Sequence, residues 1–132
     1  MFLNTINKSI KDYALEYIKS GLSVIPVHAD KKPVCSWKKY QTSAANEMEI
    51  DNLFSQDNSI AVVCGDVSGN LEVIDIDTKN DLSGTLADDF FDILKSSYRE
   101  LHKKLVIVKT INSGYHIYYR CNTITSNQVL AK

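Results

Sequence analysis

Hydrophobic positions along the chain alternate between helical and strand periods, and the switches between them divide the sequence into short elements. Ile6, Ile10, Tyr13, Ala14, Tyr17 and Ile18 recur at helical spacing, with Gly21 placed to end the helix. The apolar run over residues 22–27 then reads as a strand. Asn46, followed three residues later by Glu49, has the form of a capping box, and Ile50, Leu53 and Phe54 supply the buried stripe of a short second helix. Residues 60–64 and 71–76 read as strands, most simply a hairpin closed by Gly65-Asp-Val-Ser-Gly-Asn70. Gly65, Ser68 and Gly69 are then turn residues, because no Walker-type or GxGxxG spacing accompanies them.

The second half repeats the logic. Residues 78–84 form a polar loop, after which Leu86, Phe90, Ile93, Leu94 and Leu101 mark a longer helix. Asp88 and Asp89 lie near its start and Lys95, Arg99 and Lys103 toward its end, as the helix dipole favours. Residues 105–109 and 115–120 read as strands, and a hairpin through Asn112-Ser113-Gly114 would set both on one sheet. The expected fold is a single α+β domain over residues 1–132, with a mixed or antiparallel sheet flanked by helices.

Two segments carry candidate chemistry. In Leu71-Glu-Val-Ile-Asp75-Ile-Asp77 an apolar strand ends in two carboxylates one residue apart, which strand geometry would point the same way. At that separation two carboxylates can share divalent cations and serve phosphoryl chemistry. Acidic residues at strand ends also cap loops, so the pair has a structural reading as well. In Ser113-Gly-Tyr-His116-Ile-Tyr-Tyr-Arg120 alternation places His116, Tyr118 and Arg120 on one face and Tyr115, Ile117 and Tyr119 on the other. A histidine beside an arginine suits an anion, while Ser113-Gly114 also suits a turn in which glycine supplies positive φ.

With Gly21-Leu-Ser-Val-Ile-Pro26, Lys32-Pro33, Trp37-Lys38, Ile60-Ala-Val-Val-Cys-Gly65 and Ser68-Gly69 upstream, these segments occur in an order that resembles the bifunctional primase-polymerase (prim-pol) domain of the archaeo-eukaryotic primase superfamily. The resemblance extends over residues 13–120. Such domains open replication proteins of phages, plasmids and other mobile elements. The resemblance implies that Asp75 and Asp77 hold catalytic Mg²⁺ or Mn²⁺. His116, helped by Ser113, would meet the nucleotide triphosphate, with Gly114 and Arg120 in the same nucleotide-binding segment. Lys32, Trp37 and Lys38 would border the site as a substrate loop. Template DNA and a helicase domain or partner are implied as well.

The family's third carboxylate lies on a later strand, and residues 121–132 contain no acid. The expectation is therefore a fragment of a longer protein, with weak metal binding and little turnover on its own. Two other readings stay open. One is a nucleotide- or single-stranded-DNA-binding module without catalysis. The other is an unrelated Asp-x-Asp enzyme, such as a sugar-nucleotide transferase or phosphohydrolase, although that reading leaves residues 113–116 and 32–37 unexplained.

Composition adds boundaries. At 132 residues, with 44% hydrophobic and 23% charged residues, the chain is of ordinary globular type. A net charge of −1 gives no overall attraction to nucleic acid, so any contact must be a local patch. Lys31, Lys32, Lys38 and Lys39 around Trp37 and Tyr40 are the candidate, unless Trp37 merely anchors a solvated loop. Three cysteines without a Cys-x-x-Cys pair argue against a disulfide framework or zinc finger and favour a reducing cytoplasm. His28 and His102 stand apart as surface or loop residues. No leader-like or membrane-spanning apolar stretch is present.

Overall fold

A computed structural model describes residues 7–79 and 81–130. Ile6 of the first helical stripe lies outside the described residues, as does Asn80 within the polar loop. Among the described residues four α-helices and two antiparallel sheets give the expected α+β fold, with two compact units divided between Asn70 and Leu71.

The first unit begins with α1 (Ile10–Lys19). Ser9 caps it in a reciprocal box with Asp12, and Gly21 follows it at φ +84°, the left-handed conformation expected of a glycine that ends a helix. Strand β1 (Ser23–Val27) is buried along its whole length. Next comes a single 3-10 turn over Lys38–Gln41, where the sequence showed only a loop. Helix α2 (Glu47–Leu53) has the expected Asn46/Glu49 capping box. Strand β2 (Ser59–Val63) pairs antiparallel with β1, from Ser23 opposite Val63 to Val27 opposite Ser59. Ala14, Val24, Ile25, Tyr40, Ile50, Phe54 and Val63 close one apolar core.

The expected hairpin between β2 and the following strand does not form. Asp66–Ser68 coils into a 3-10 turn between Gly65 at φ +95° and Gly69 at φ +70°, with Asn70 also left-handed. The buried Ser68 hydroxyl donates to the Val63 carbonyl and accepts from the Ser23 N–H, tying the turn back to the β1–β2 ladder. The ladder is thereby capped by a side chain, and the next strand finds its partner elsewhere.

In the second unit β3 (Leu71–Ile76) is an outer strand of a three-stranded sheet, with order β3-β5-β4. Helix α3 (Leu86–Ser97) starts where the Asp81 carboxylate accepts the Leu86 N–H at 3.0 Å. The single helix expected through Leu101 is broken at Tyr98 (φ −134°, ψ 46°), so α4 (Arg99–His102) is a separate turn. His102 closes that turn rather than lying in a loop. Strands β4 (Val106–Lys109) and β5 (Tyr115–Arg120) form the expected hairpin, with Val108 opposite His116 and Val106 opposite Tyr118. Ile76, Ala87 and Ile117, with Ile74, Phe90, Phe91 and Tyr115, make the second core. Helix α3 therefore packs on the face that carries Ile74, Ile76, Tyr115 and Ile117, and the opposite face carries Val73 and Asp75 of β3 beside His116 and Tyr118 of β5.

Candidate functional site

The site grows out of the β3–β5 ladder. Asp75 and His116 are direct register partners, so their side chains leave the sheet on the same face. His116 Nε2 lies 3.5 Å from Asp75 Oδ1, an ion-pair distance longer than a hydrogen bond. The Tyr118 hydroxyl is 3.2 Å from His116 Nδ1, and the two rings meet edge to face. In a neutral ring, a Tyr118 O–H donating to Nδ1 leaves the hydrogen on Nε2, the nitrogen that faces Asp75. Tyr118 is a contributor that sequence reasoning placed on the right face without giving it a role; the signal was the alternation itself. Val73, Val106 and Val108 share this face and are all partly exposed, as is the Asp75 carboxylate at 67%.

Strand β3 ends at Ile76, so Asp77 lies one residue beyond the ladder. Its carboxylate accepts the Lys79 N–H at 2.9 Å, the local bond of an Asx turn. Thr78 reaches from the same loop to the Ser113 carbonyl at 3.4 Å, joining the exit of β3 to the turn before β5.

That turn corrects one detail of the sequence reading. The left-handed residue is Ser113 (φ +65°), not Gly114. Gly114 is required for another reason: a Cβ there would stand 2.4 Å from the Ile76 carbonyl oxygen and 3.1 Å from Thr110 Oγ1. The missing side chain lets the start of β5 close onto the end of β3. Arg120, on the face of His116, is opposite Leu71 at the far end of the ladder.

Lys32, Trp37 and Lys38 belong to the first unit, and all three are exposed there. Lys32 pairs with Asp30 at 3.8 Å. Two members of the proposed basic-aromatic patch serve the fold instead. Tyr40 is buried in the first core, and its hydroxyl donates to Glu49 at 2.9 Å. Lys39 is paired with the same carboxylate at 2.8 Å. Burial pushes the Tyr40 hydroxyl up to about 12, helped by Glu49, whose own carboxyl is held below its ordinary range first by Lys39 and then by Tyr40.

Among the described residues no group of three His, Cys, Asp or Glu side chains converges on one point. The donor set nonetheless fits a hard divalent ion, because Mg²⁺ is held by one or two carboxylates together with waters and substrate phosphates rather than by an all-protein cage. Asp75 and Asp77 supply such carboxylates, both exposed and flanking Ile76.

An antiparallel sheet packed against a helix on one face, with a carboxylate-imidazole pair on the other, defines the second unit of this α+β fold. The chain belongs to the bifunctional DNA primase/polymerase family: the model of that family's N-terminal domain matches residues 14–131. Comparison with curated proteins gives no match. Among the described residues no helix is long and apolar enough to cross a membrane.

Proposed function

We propose that the domain performs template-directed nucleotidyl transfer, with nucleoside triphosphates as substrates and DNA as template, and that the Asp75/His116 face of β3 and β5 is where the triphosphate sits. The single observation that supports this reading is the direct register of Asp75 with His116. It sets an oxygen donor for a divalent ion and a donor for a phosphate oxygen side by side on the sheet face that α3 does not cover.

Asp75 and Asp77 would hold Mg²⁺ or Mn²⁺. When bound, such an ion supplies charge neutralisation at the phosphates and acidifies the attacking hydroxyl. The chain's own residues do the positioning. His116, oriented through Nδ1 by the Tyr118 hydroxyl, directs Nε2 along the carboxylate edge, where it can donate to a phosphate oxygen without competing for a hard cation. Ser113 holds the turn in its left-handed form, and Gly114 keeps that turn against the end of β3, so the chain before His116 stays close to the chain around Asp77. Val73, Val106 and Val108 provide an apolar floor around the polar pair.

Titration with Mn²⁺ and a labelled nucleoside triphosphate tests the reading, with the Asp75→Ala/Asp77→Ala variant as control. Metal-dependent binding that disappears in the variant is the expected result. Binding that needs no metal and survives in the variant would instead describe a nucleotide-binding module without this metal chemistry.

A further inference from the structure

Strand β4 keeps one edge open. In the sheet order β3-β5-β4 it pairs with β5 on one side and, among the described residues, with no strand on the other. The Thr110 N–H donates to the Gly114 carbonyl at 2.9 Å. From that bonded pair the alternation of an antiparallel ladder runs back through Val108 opposite His116 and Val106 opposite Tyr118. Val106 and Val108 therefore bond to β5, and the N–H and C=O groups of Ile107 and Lys109 point outward. Among the described residues no turn or loop backbone group bonds to either of them.

Sheet edges are ordinarily blunted by a proline, a bulge or a charge within the strand. Val106-Ile107-Val108 has none of these, and all three side chains are exposed. Charge stands at the two ends instead. Lys95, Arg99, His102 and Lys103 line a concavity of ≈430 Å³ where the chain approaches the strand. Lys104 follows, and Lys109 closes the strand. Both are exposed, and among the described residues neither forms a salt bridge.

The geometry points to strand addition: the β4 edge receives an extended segment of a partner protein that is apolar in its middle and acidic at both ends. The segment's backbone meets the outward groups of Ile107 and Lys109, and its carboxylates meet the basic ends of β4. A second copy of the chain fits less well, because antiparallel pairing of two β4 strands brings basic end onto basic end, where like charges repel. Nucleic acid has no repeating donor–acceptor pair to match Ile107 and Lys109, and β4 carries no aromatic ring for a base. The added strand lies two strand spacings from β5, about 10 Å, so His116 stays open. The inference is therefore independent of the nucleotide reading.

Amide hydrogen exchange of the whole chain, followed by NMR, tests it. The probe is a synthetic peptide of alternating valine and threonine between paired glutamates, run beside the same core between paired lysines. In the chain alone the Ile107 and Lys109 amides should exchange faster than those of Val106 and Val108. The glutamate-ended peptide should slow both outward amides about tenfold, and the lysine-ended one should not. Lys109→Glu is expected to weaken the glutamate-ended peptide about fivefold, with Lys109→Arg retaining it and Mn²⁺-dependent nucleotide binding unchanged in both. Ile107→Pro, which removes one outward N–H, should weaken the peptide about tenfold; the two Lys109 variants decide the matter if proline impairs folding. The inference is overturned if the outward amides are already protected in the free chain, if the two peptides act alike, or if Lys109→Glu binds as well as the parent. Protection that grows with protein concentration would make the occupant a second copy, and protection by an oligothymidylate would make it nucleic acid. Either result overturns the assignment to a protein partner.

Discussion

His116 Nε2 and Asp75 Oδ1 stand 3.5 Å apart because the two residues are register partners on adjacent antiparallel strands, one on the central strand of the sheet and one on its edge. A central strand moves least when a ligand arrives, since it is bonded on both sides. The imidazole is therefore the fixed element of the pair, and the exposed Asp75 carboxylate the more adaptable one. Their functions should separate accordingly.

Replacing Asp75 with Ala is expected to abolish metal-dependent nucleotide binding while the domain stays folded, because a largely exposed carboxylate contributes little to stability. His116→Ala should retain metal dependence and raise the apparent nucleotide dissociation constant about tenfold to a hundredfold, the range for losing one charge-assisted hydrogen bond. Nucleotide titrations at fixed Mn²⁺ check both, and an unchanged affinity in His116→Ala would remove that residue from the phosphate site.

Gly114→Ala should destabilise the second unit by about 1–3 kcal/mol, the range for forcing an extra carbon into a packed position. The new Cβ meets backbone, the Ile76 carbonyl, which cannot swing aside as a side chain could. Denaturant unfolding measures the loss. Nucleotide affinity should fall with it, because the strain falls between β3 and the turn that precedes His116.

Ile117 is fully buried and faces Ile74 on one side and Ile107 on the other. Truncation to Ala is expected to cost about 2–5 kcal/mol, read from the same unfolding curves. A smaller loss would mean that α3 packs less closely on β5 than the core around Ile76, Ala87 and Ile117 implies.

Stability should fall at both ends of the pH range. Glu49 and Glu72 have carboxyls lowered from an ordinary 4.5, chiefly by Lys39 and by the Tyr119 hydroxyl respectively. A lowered folded value stabilises above 4.5, and that contribution disappears as pH drops through the folded values. Tyr40 and Tyr119 are raised from 10.0 to about 12, the first chiefly by burial and the second chiefly by its bond to Glu72. Their contribution is complete below 10 and is lost as pH rises toward 12. Melting temperatures across pH should form a plateau with two shoulders, and Tyr119→Phe should diminish the alkaline one.

Local rules were enough for much of the fold. The capping box of α2, the glycine after α1, the alternation on β5 and the β4–β5 hairpin depend on residues a few positions apart, whose hydrogen bonds and side-chain directions are settled within the segment. The break between α3 and α4 at Tyr98 escaped because an uninterrupted apolar stripe ran across it.

The chain order of motifs also carried the family. Which strand pairs with which was a tertiary decision. Residues 60–64 and 71–76 read as neighbours, yet a buried serine hydroxyl ties the intervening turn to β1, and each strand pairs with one distant in sequence. The same long-range pairing sets His116 beside Asp75 and assigns Gly114 to a close approach rather than a positive φ. No local signal encodes these relationships, because each depends on which backbone hydrogen bonds remain unmet once the helices and turns have formed.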